Sequence, residues 1–215
     1  MTLDDDAQEE LPLPPAVLTA DDEHWKNWSG PAWRIHKQQK GRPDWNQLRH
    51  FGPASGQRFD PQELPEEDGK PEGVQYVASS MLAAIGEVFQ TNRTIPLHDS
   101  TRLAVAWEPI RPLRLLDVRT TFGNANKASA VFSSARKDVT RAWARLAHLQ
   151  WPDMDGIIYS AKKTGLPCAA LFTHAEVAPV WPTLPSFSRS LTDPAIRDEL
   201  LEIAETLRWE VDYGV

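Results

Sequence analysis

The stretch GVQYVASSMLAAIGEVF, residues 73–89, constrains the fold of this chain more than any other segment. It opens as a short strand, passes two serines, and continues as a helix. At about 100° per residue, Met81, Leu82, Ile85, Val88 and Phe89 fall on one apolar stripe, with Glu87 nearly opposite. Strand and helix thus adjoin directly in one short stretch. Further apolar runs supply the sheet: PAWRIH (31–36), RLAVAWEP (102–109) and LRLLDV (113–118), the last two broken by prolines. GIIYSA (156–161) and LPCAALFT (166–173) flank the polar link KKTG and read as paired, buried strands. Helices are expected over 134–151, with Val139, Trp143, Leu146 and Leu149 at helical spacing, and over 193–209, which begins with Asp-Pro. Residues 37–72, rich in glycine, proline and acids, read as loop with room for one short helix. Strands and helices do not alternate regularly, so the order favours an α+β fold over a doubly wound sheet.

Charge is unevenly spread. Residues 1–23 hold eight acids and no lysine or arginine. The other 192 residues carry 23 basic against 22 acidic side chains, a net of +1 within a chain of net charge −7. A near-neutral body lacks the basic footprint of a nucleic-acid binder. Residues 1–30 are therefore expected to form an acidic, flexible tail, or else a cover for a basic pocket on a single domain spanning 31–215. No apolar run reaches the 18 or more residues that a membrane span needs, and the acidic, proline-containing start is unlike a secretory signal. The expectation is a cytoplasmic protein. The lone Cys168 excludes an internal disulfide and a CxxC metal site.

Phosphate loops, dinucleotide-binding glycine fingerprints, nucleophile elbows and HExxH pairs are all missing from the sequence. Its six histidines are scattered without metal-ligand spacing. Five polar residues remain as candidates, each with a plain alternative. Arg34, between Trp33 and Ile35, is a solvated strand arginine or a fork for phosphate or carboxylate. Arg58 follows the flexible turn Ser55-Gly56-Gln57, which can bring it against a ligand. Tyr76 in mid-strand serves the core or a cross-strand pair by default. Ser160 lies in a buried strand where its hydroxyl needs a partner, more often backbone than substrate. Glu87 points away from the apolar stripe, yet its helical neighbours Ala83, Ala84 and Gly86 are small. Such a surface suits solvent, another segment or a ligand, and helix geometry alone leaves the three open.

In matching order from about residue 31 to 180, these positions resemble the RES domain family. The likeness runs through Trp33-Arg34, the turn Gly56-Gln57-Arg58-Phe59, Tyr76, the helix segment Ala83-Ala84-Ile85-Gly86-Glu87, and Ile158-Tyr159-Ser160. Gln57 replaces the usual second glycine of the turn, and Tyr159 stands where a small residue or proline is usual. The acidic insertion between Phe59 and Tyr76 is longer than the family pattern leads one to expect.

The resemblance implies an ADP-ribosyltransferase-like fold, a mixed or antiparallel β core flanked by helices. It also implies a toxin-type enzyme that takes NAD as substrate without a metal. Such an enzyme breaks the nicotinamide–ribose bond and passes ADP-ribose to water or phosphate. Modification of a cellular protein by the same residues, or a non-catalytic binding module of the same fold, are the alternatives. A cognate antitoxin of the Xre type that blocks the NAD pocket is the implied partner, with no membrane and no direct nucleic-acid contact. By the same resemblance Glu87 offsets charge on the ribose, Arg34 and Arg58 hold the pyrophosphate or adjacent ribose, Tyr76 stacks on nicotinamide, and Ser160 orients substrate or glutamate. Tyr76, Glu87, Arg34 and Ser160 should then face one pocket.

Overall fold

The computed structural model describes residues 11–54, 56–63, 72–128 and 132–214. In chain order it contains β1 (Trp25–Trp28), β2 (Ala32–Lys37), β3 (Val74–Ala78), α1 (Met81–Val88), β4 (Thr94–Pro96), β5 (Arg102–Trp107) and β6 (Leu113–Asp117). There follow α2 (Phe122–Ala125), α3 (Lys137–Gln150), β7 (Gly156–Ser160), β8 (Pro167–Phe172), α4 (His174–Val177), β9 (Phe187–Ser190), α5 (Arg197–Leu207) and β10 (Glu210–Asp212). Eight strands form one sheet in the order β1-β6-β7-β8-β3-β2-β5-β9, and β10 pairs with β4 beside it. Pairing is antiparallel throughout the large sheet except between β6 and β7. The α+β architecture expected from the sequence is therefore present.

Alternation along the strands builds a core on each face of the sheet. On β8, Cys168, Ala170 and Phe172 join the cluster beneath α1, α3 and α5. Ala169 and Leu171, between them, join Trp107, Leu113, Leu115 and Ile158 on the other face. The helix α1 starts where Ser80, in extended conformation, accepts a hydrogen bond from the Ala83 N–H through its side chain, satisfying an otherwise orphaned donor. Before α5, Asp193 does the same for Ala195 at the head of the short 3-10 turn Pro194–Ile196. In α3 the buried stripe is Val139, Thr140, Trp143, Ala144 and Ala147. Leu149, expected on that stripe, is 67% exposed, because at about 100° per residue it falls on the side of the helix away from Thr140, Trp143 and Ala147.

One seam in the sheet is open. Six consecutive residues of β2 pair with β5, but β2 meets β3 only at Trp33 and Ala78. Beyond that point the two strands are no longer paired, and Trp45, Gln47 and Arg49 supply partners to β3 instead. Arg49 and Val74 exchange backbone hydrogen bonds of 2.9 and 3.1 Å, and the Gln75 amide donates to the carbonyls of Trp45 and Gln47. Described residues of this segment carry no helix.

The tail expected over 1–30 needs correction. Residues 1–10 lie outside the described part, but from residue 11 the chain is packed on the body. Leu11 and Leu18 are buried, and the Trp143 indole donates to the Pro12 carbonyl at 2.8 Å. Two side-chain amides imitate a strand partner: Gln150 bonds both the N–H and the C=O of Leu18, and Asn126 does so for Thr19. β1 then pairs along β6 and closes that edge of the sheet. Two leucines without a period give no helix or strand signal, which is why the arm is hard to read from sequence. Among the described residues no helix is long and apolar enough to cross a membrane.

Candidate active site

The gap between β2 and β3 opens into a cavity of about 350 Å³ lined by Arg34, Arg49, Tyr76, Glu87 and Tyr159, among others. A second cavity of about 440 Å³ adjoins it, lined by Arg58, Ser133, Ser160 and Lys162. Gln57, Tyr76, Glu87, Val88 and Tyr159 line both, so the two are compartments of one cleft. Glu87 and Tyr76 sit at the junction. Arg34 lines only the first compartment, and Arg58 and Ser160 only the second. The single pocket expected for Arg34, Tyr76, Glu87 and Ser160 is in fact a two-part cleft.

Arg34 extends from β2 and donates to the Trp45 carbonyl at 3.1 Å. Burial lowers its pKa to about 10, opposed by the charge of Asp44. The guanidinium is still cationic at neutral pH and, among the described residues, bonds no carboxylate, so it retains donors for an anion. His36, two residues on, is held below its ordinary value by burial first and by Arg34 second, with Asp44 opposing.

Tyr76 projects from β3 with both hydrogen-bonding roles of its hydroxyl in use. The phenol donates to Asp60 Oδ1 at 2.8 Å and accepts from the Phe59 N–H at 2.9 Å. Asp60 is wholly buried, and it is satisfied by Arg49 at 2.8 and 2.7 Å and by the Ala54 N–H at 2.7 Å. A buried carboxylate is tolerable only with such a complete set of donors. Burial, then the Asp60 charge, push the Tyr76 pKa well up, so the phenol stays protonated. The ring remains for the cleft.

Arg58 is anchored from α3. Its guanidinium donates to the Ala135 carbonyl, and its own carbonyl accepts from the Thr140 hydroxyl at 2.7 Å. Arg141 fixes the same loop through the Ala54 and Gln57 carbonyls. Burial lowers the Arg58 pKa, while the nearby charge of Glu87 opposes that shift most.

Glu87, near the end of α1, is half-buried rather than solvated. Its Oε2 accepts from the Tyr159 hydroxyl at 3.3 Å and its Oε1 from the Lys162 N–H at 3.2 Å. Burial raises its pKa above the ordinary carboxylate range; those two hydrogen bonds and Arg58 work against the rise. Ser160 ends β7, half-buried, opposite Pro167 in the ladder. Cys168 lines the first compartment, and burial pushes its thiol up, consistent with a core residue. Among the described residues no group of three or more His, Cys, Asp and Glu side chains is arranged to hold a metal ion.

Three participants escape the sequence reading. Asp60 and Arg49 sit in a loop of many charges, where nothing marks them as a pair. Tyr159 stands out in the sequence only as a departure from a family pattern, yet its hydroxyl reaches Glu87. The strand alternation that puts Tyr159 on the α1 face was the available signal.

The model of the RES domain family matches residues 31–189. Among solved structures, the M. tuberculosis MbcT–MbcA toxin–antitoxin complex contains a similar chain: TM-score 0.55, 17% sequence identity, covering 81% of this chain and 90% of that one. At such identity the likeness concerns the fold. No curated protein matches the sequence.

Proposed function

The chain belongs to the RES domain family, and from that premise we propose that it is a toxin-type enzyme that consumes NAD. It cleaves the nicotinamide–ribose bond and passes ADP-ribose to water or phosphate. The observation that carries this reading is the Glu87 carboxylate at the junction of two compartments, with the guanidinium of Arg34 in one and Arg58 and Ser160 in the other. A dinucleotide with a diphosphate at its middle suits a cleft whose cations lie on either side of one acid.

Breaking the C–N bond leaves positive charge on the ribose while its electron pair departs with nicotinamide, which becomes a neutral ring and needs no proton. An ionised carboxylate beside the ribose hydroxyls offsets the developing charge, and in a half-buried site it does so more strongly than in water. Arg34 and Arg58 hold the diphosphate or the adjacent ribose through charge-assisted hydrogen bonds. Tyr76, its hydroxyl engaged by Asp60 and Phe59, offers its ring to the nicotinamide. Ser160 orients the substrate from the end of β7. The acceptor oxygen then bonds to the ribose carbon and gives up its proton.

The similar fold in a toxin–antitoxin complex supports a protein partner for this chain as well, an antitoxin of the Xre type that covers the cleft. Incubation of the purified chain with NAD, in water and in phosphate buffer, with identification of products, tests the function. Free nicotinamide with ADP-ribose or its phosphate is expected. Intact NAD overturns the reading, and labelling of a cellular protein faster than bulk NAD loss replaces it with the transferase reading.

A further inference from the structure

The small residues beside Glu87 have an occupant. The turn 161–165, which joins β7 to β8, rests on one of them, Gly86: a Cβ built there would lie 2.9 Å from Thr164 Cγ2. The turn is closed by hydrogen bonds of 2.8 Å from the Gly165 N–H to the Ala161 carbonyl and from the Ala161 N–H to the Leu166 carbonyl. Gly165 takes a positive φ of 70°, which a glycine adopts without strain. Thr164 Oγ1 also accepts from the Leu166 N–H at 3.2 Å. From this turn the Lys162 N–H reaches one oxygen of Glu87, and from the end of β7 the Tyr159 hydroxyl reaches the other. Each carboxylate oxygen has a second lone pair left for the cleft.

We propose that Tyr159 and the turn 161–165 are the positioning elements of Glu87, holding its carboxylate in one orientation at the junction of the two compartments. The inference rests on the reading of Glu87 as the group that faces the ribose. The Tyr159 ring is itself fixed, buried and stacked at a tilt on Phe59 with centroids 4.7 Å apart. Its neighbours in the ladder leave it on the α1 face, so the hydroxyl has a defined direction. Gly86 sets the distance between helix and turn, and through it the reach of the Lys162 N–H.

The other groups around this carboxylate are Arg58 from the loop, Tyr76 from β3, Cys168 from β8, and Lys162 and Lys137, which line the same compartment. Burial keeps Tyr76, Tyr159 and Cys168 protonated, so none of them brings a competing negative charge. A hydrogen bond from Tyr159 therefore favours the ionised carboxylate, and its loss must raise the Glu87 pKa further. The Lys162 bond is at the long end of the usual range and the Tyr159 bond, at 3.3 Å, is longer than usual for two oxygens, so the effect should be moderate.

Tyr159→Phe keeps the ring and removes the hydroxyl. With ¹³C-labelled glutamate carboxyls, the resonance that disappears in Glu87→Gln identifies the group. In Tyr159→Phe that resonance should titrate about one pH unit higher. The acid limb of kcat/KM for NAD should move up with it, and the rate at neutral pH should fall about tenfold. Gly86→Ala introduces a better helix former but pushes the turn away, and should lower the rate similarly. Adding Thr164→Ser removes Cγ2, keeps Oγ and should restore it. An unmoved titration in Tyr159→Phe, or a double variant no better than Gly86→Ala, overturns the inference. The titration needs no turnover, so a wild-type chain that leaves NAD intact defeats the functional reading while the carboxyl still reports on its positioning. NAD turnover with an unmoved titration defeats only the positioning role.

Discussion

The two flanks of β2 differ in how their backbone is satisfied. Toward β5 the ladder is complete over six residues, and Ala104, Val105 and Ala106 are buried beside it. Toward β3 the ladder ends after one pair, and side chains take over. Gln75 bonds two loop carbonyls, Arg49 and Asp60 form a buried pair, and the Tyr76 hydroxyl closes the set. A complete ladder leaves no room for a ligand. A broken one creates space, and the polar groups that repair it are the groups that line or support the cleft.

Removing the repair should therefore hurt more than trimming the ladder side. Asp60→Ala leaves Arg49 with an unpaired buried charge and frees Tyr76, so a loss of about 3–5 kcal/mol is expected in denaturant unfolding, with loss of NAD turnover. If stability is retained, the seam is held by something other than this pair. Glu87→Gln separates site from scaffold: turnover should fall on the order of 10³-fold while unfolding stays near wild type. Val105→Ala, on the complete flank, should cost roughly 1–3 kcal/mol and leave turnover of the folded fraction unchanged.

The smallest effect concerns pH. Because burial raises the Glu87 pKa, the folded chain binds that proton more tightly than the unfolded chain does. Stability from this group is thus greatest below the ordinary carboxylate value and declines as pH rises through the folded value. Activity that needs the ionised form runs the opposite way, falling as pH drops through that same raised value. In Glu87→Gln the stability part of this dependence should vanish, which paired unfolding curves at acidic and neutral pH would reveal. Unchanged curves would mean that the carboxylate is solvated after all.

The long strands of the sheet were more legible in sequence than the seam between β2 and β3. β2, β3, β5 and the paired β7 and β8 follow from apolar runs bounded by prolines, glycines and polar links, because each strand is buried on at least one face. α1 was equally plain, with Ser80 capping it. The edge strand β9, FSRS, and the three-residue β4 and β10 were not, since short or half-exposed strands have little apolar pattern to read. At the site, Arg34, Arg58, Tyr76, Glu87 and Ser160 came from an ordered resemblance, and all five line the cleft. Asp60 and Arg49 could not be found the same way. Their partnership spans a loop whose path depends on where β2 and β3 part, a property of the assembled sheet rather than of any local window.

The arm that carries β1 bears on how this chain tolerates shortening. The family match begins at residue 31, after β1, and ends at 189, before α5 and β10. A chain cut to those limits would lack β1 and leave the backbone of Leu113–Leu116 on the outer edge of β6 without its ladder partner. The edge presented there would then be β6, whose Leu113, Leu115 and Leu116 are fully buried, in place of the half-exposed Trp25–Trp28 strand. The stretch that defines kinship is thus shorter than the sheet it belongs to, for β1, which pairs the outer edge of β6, lies wholly before the match.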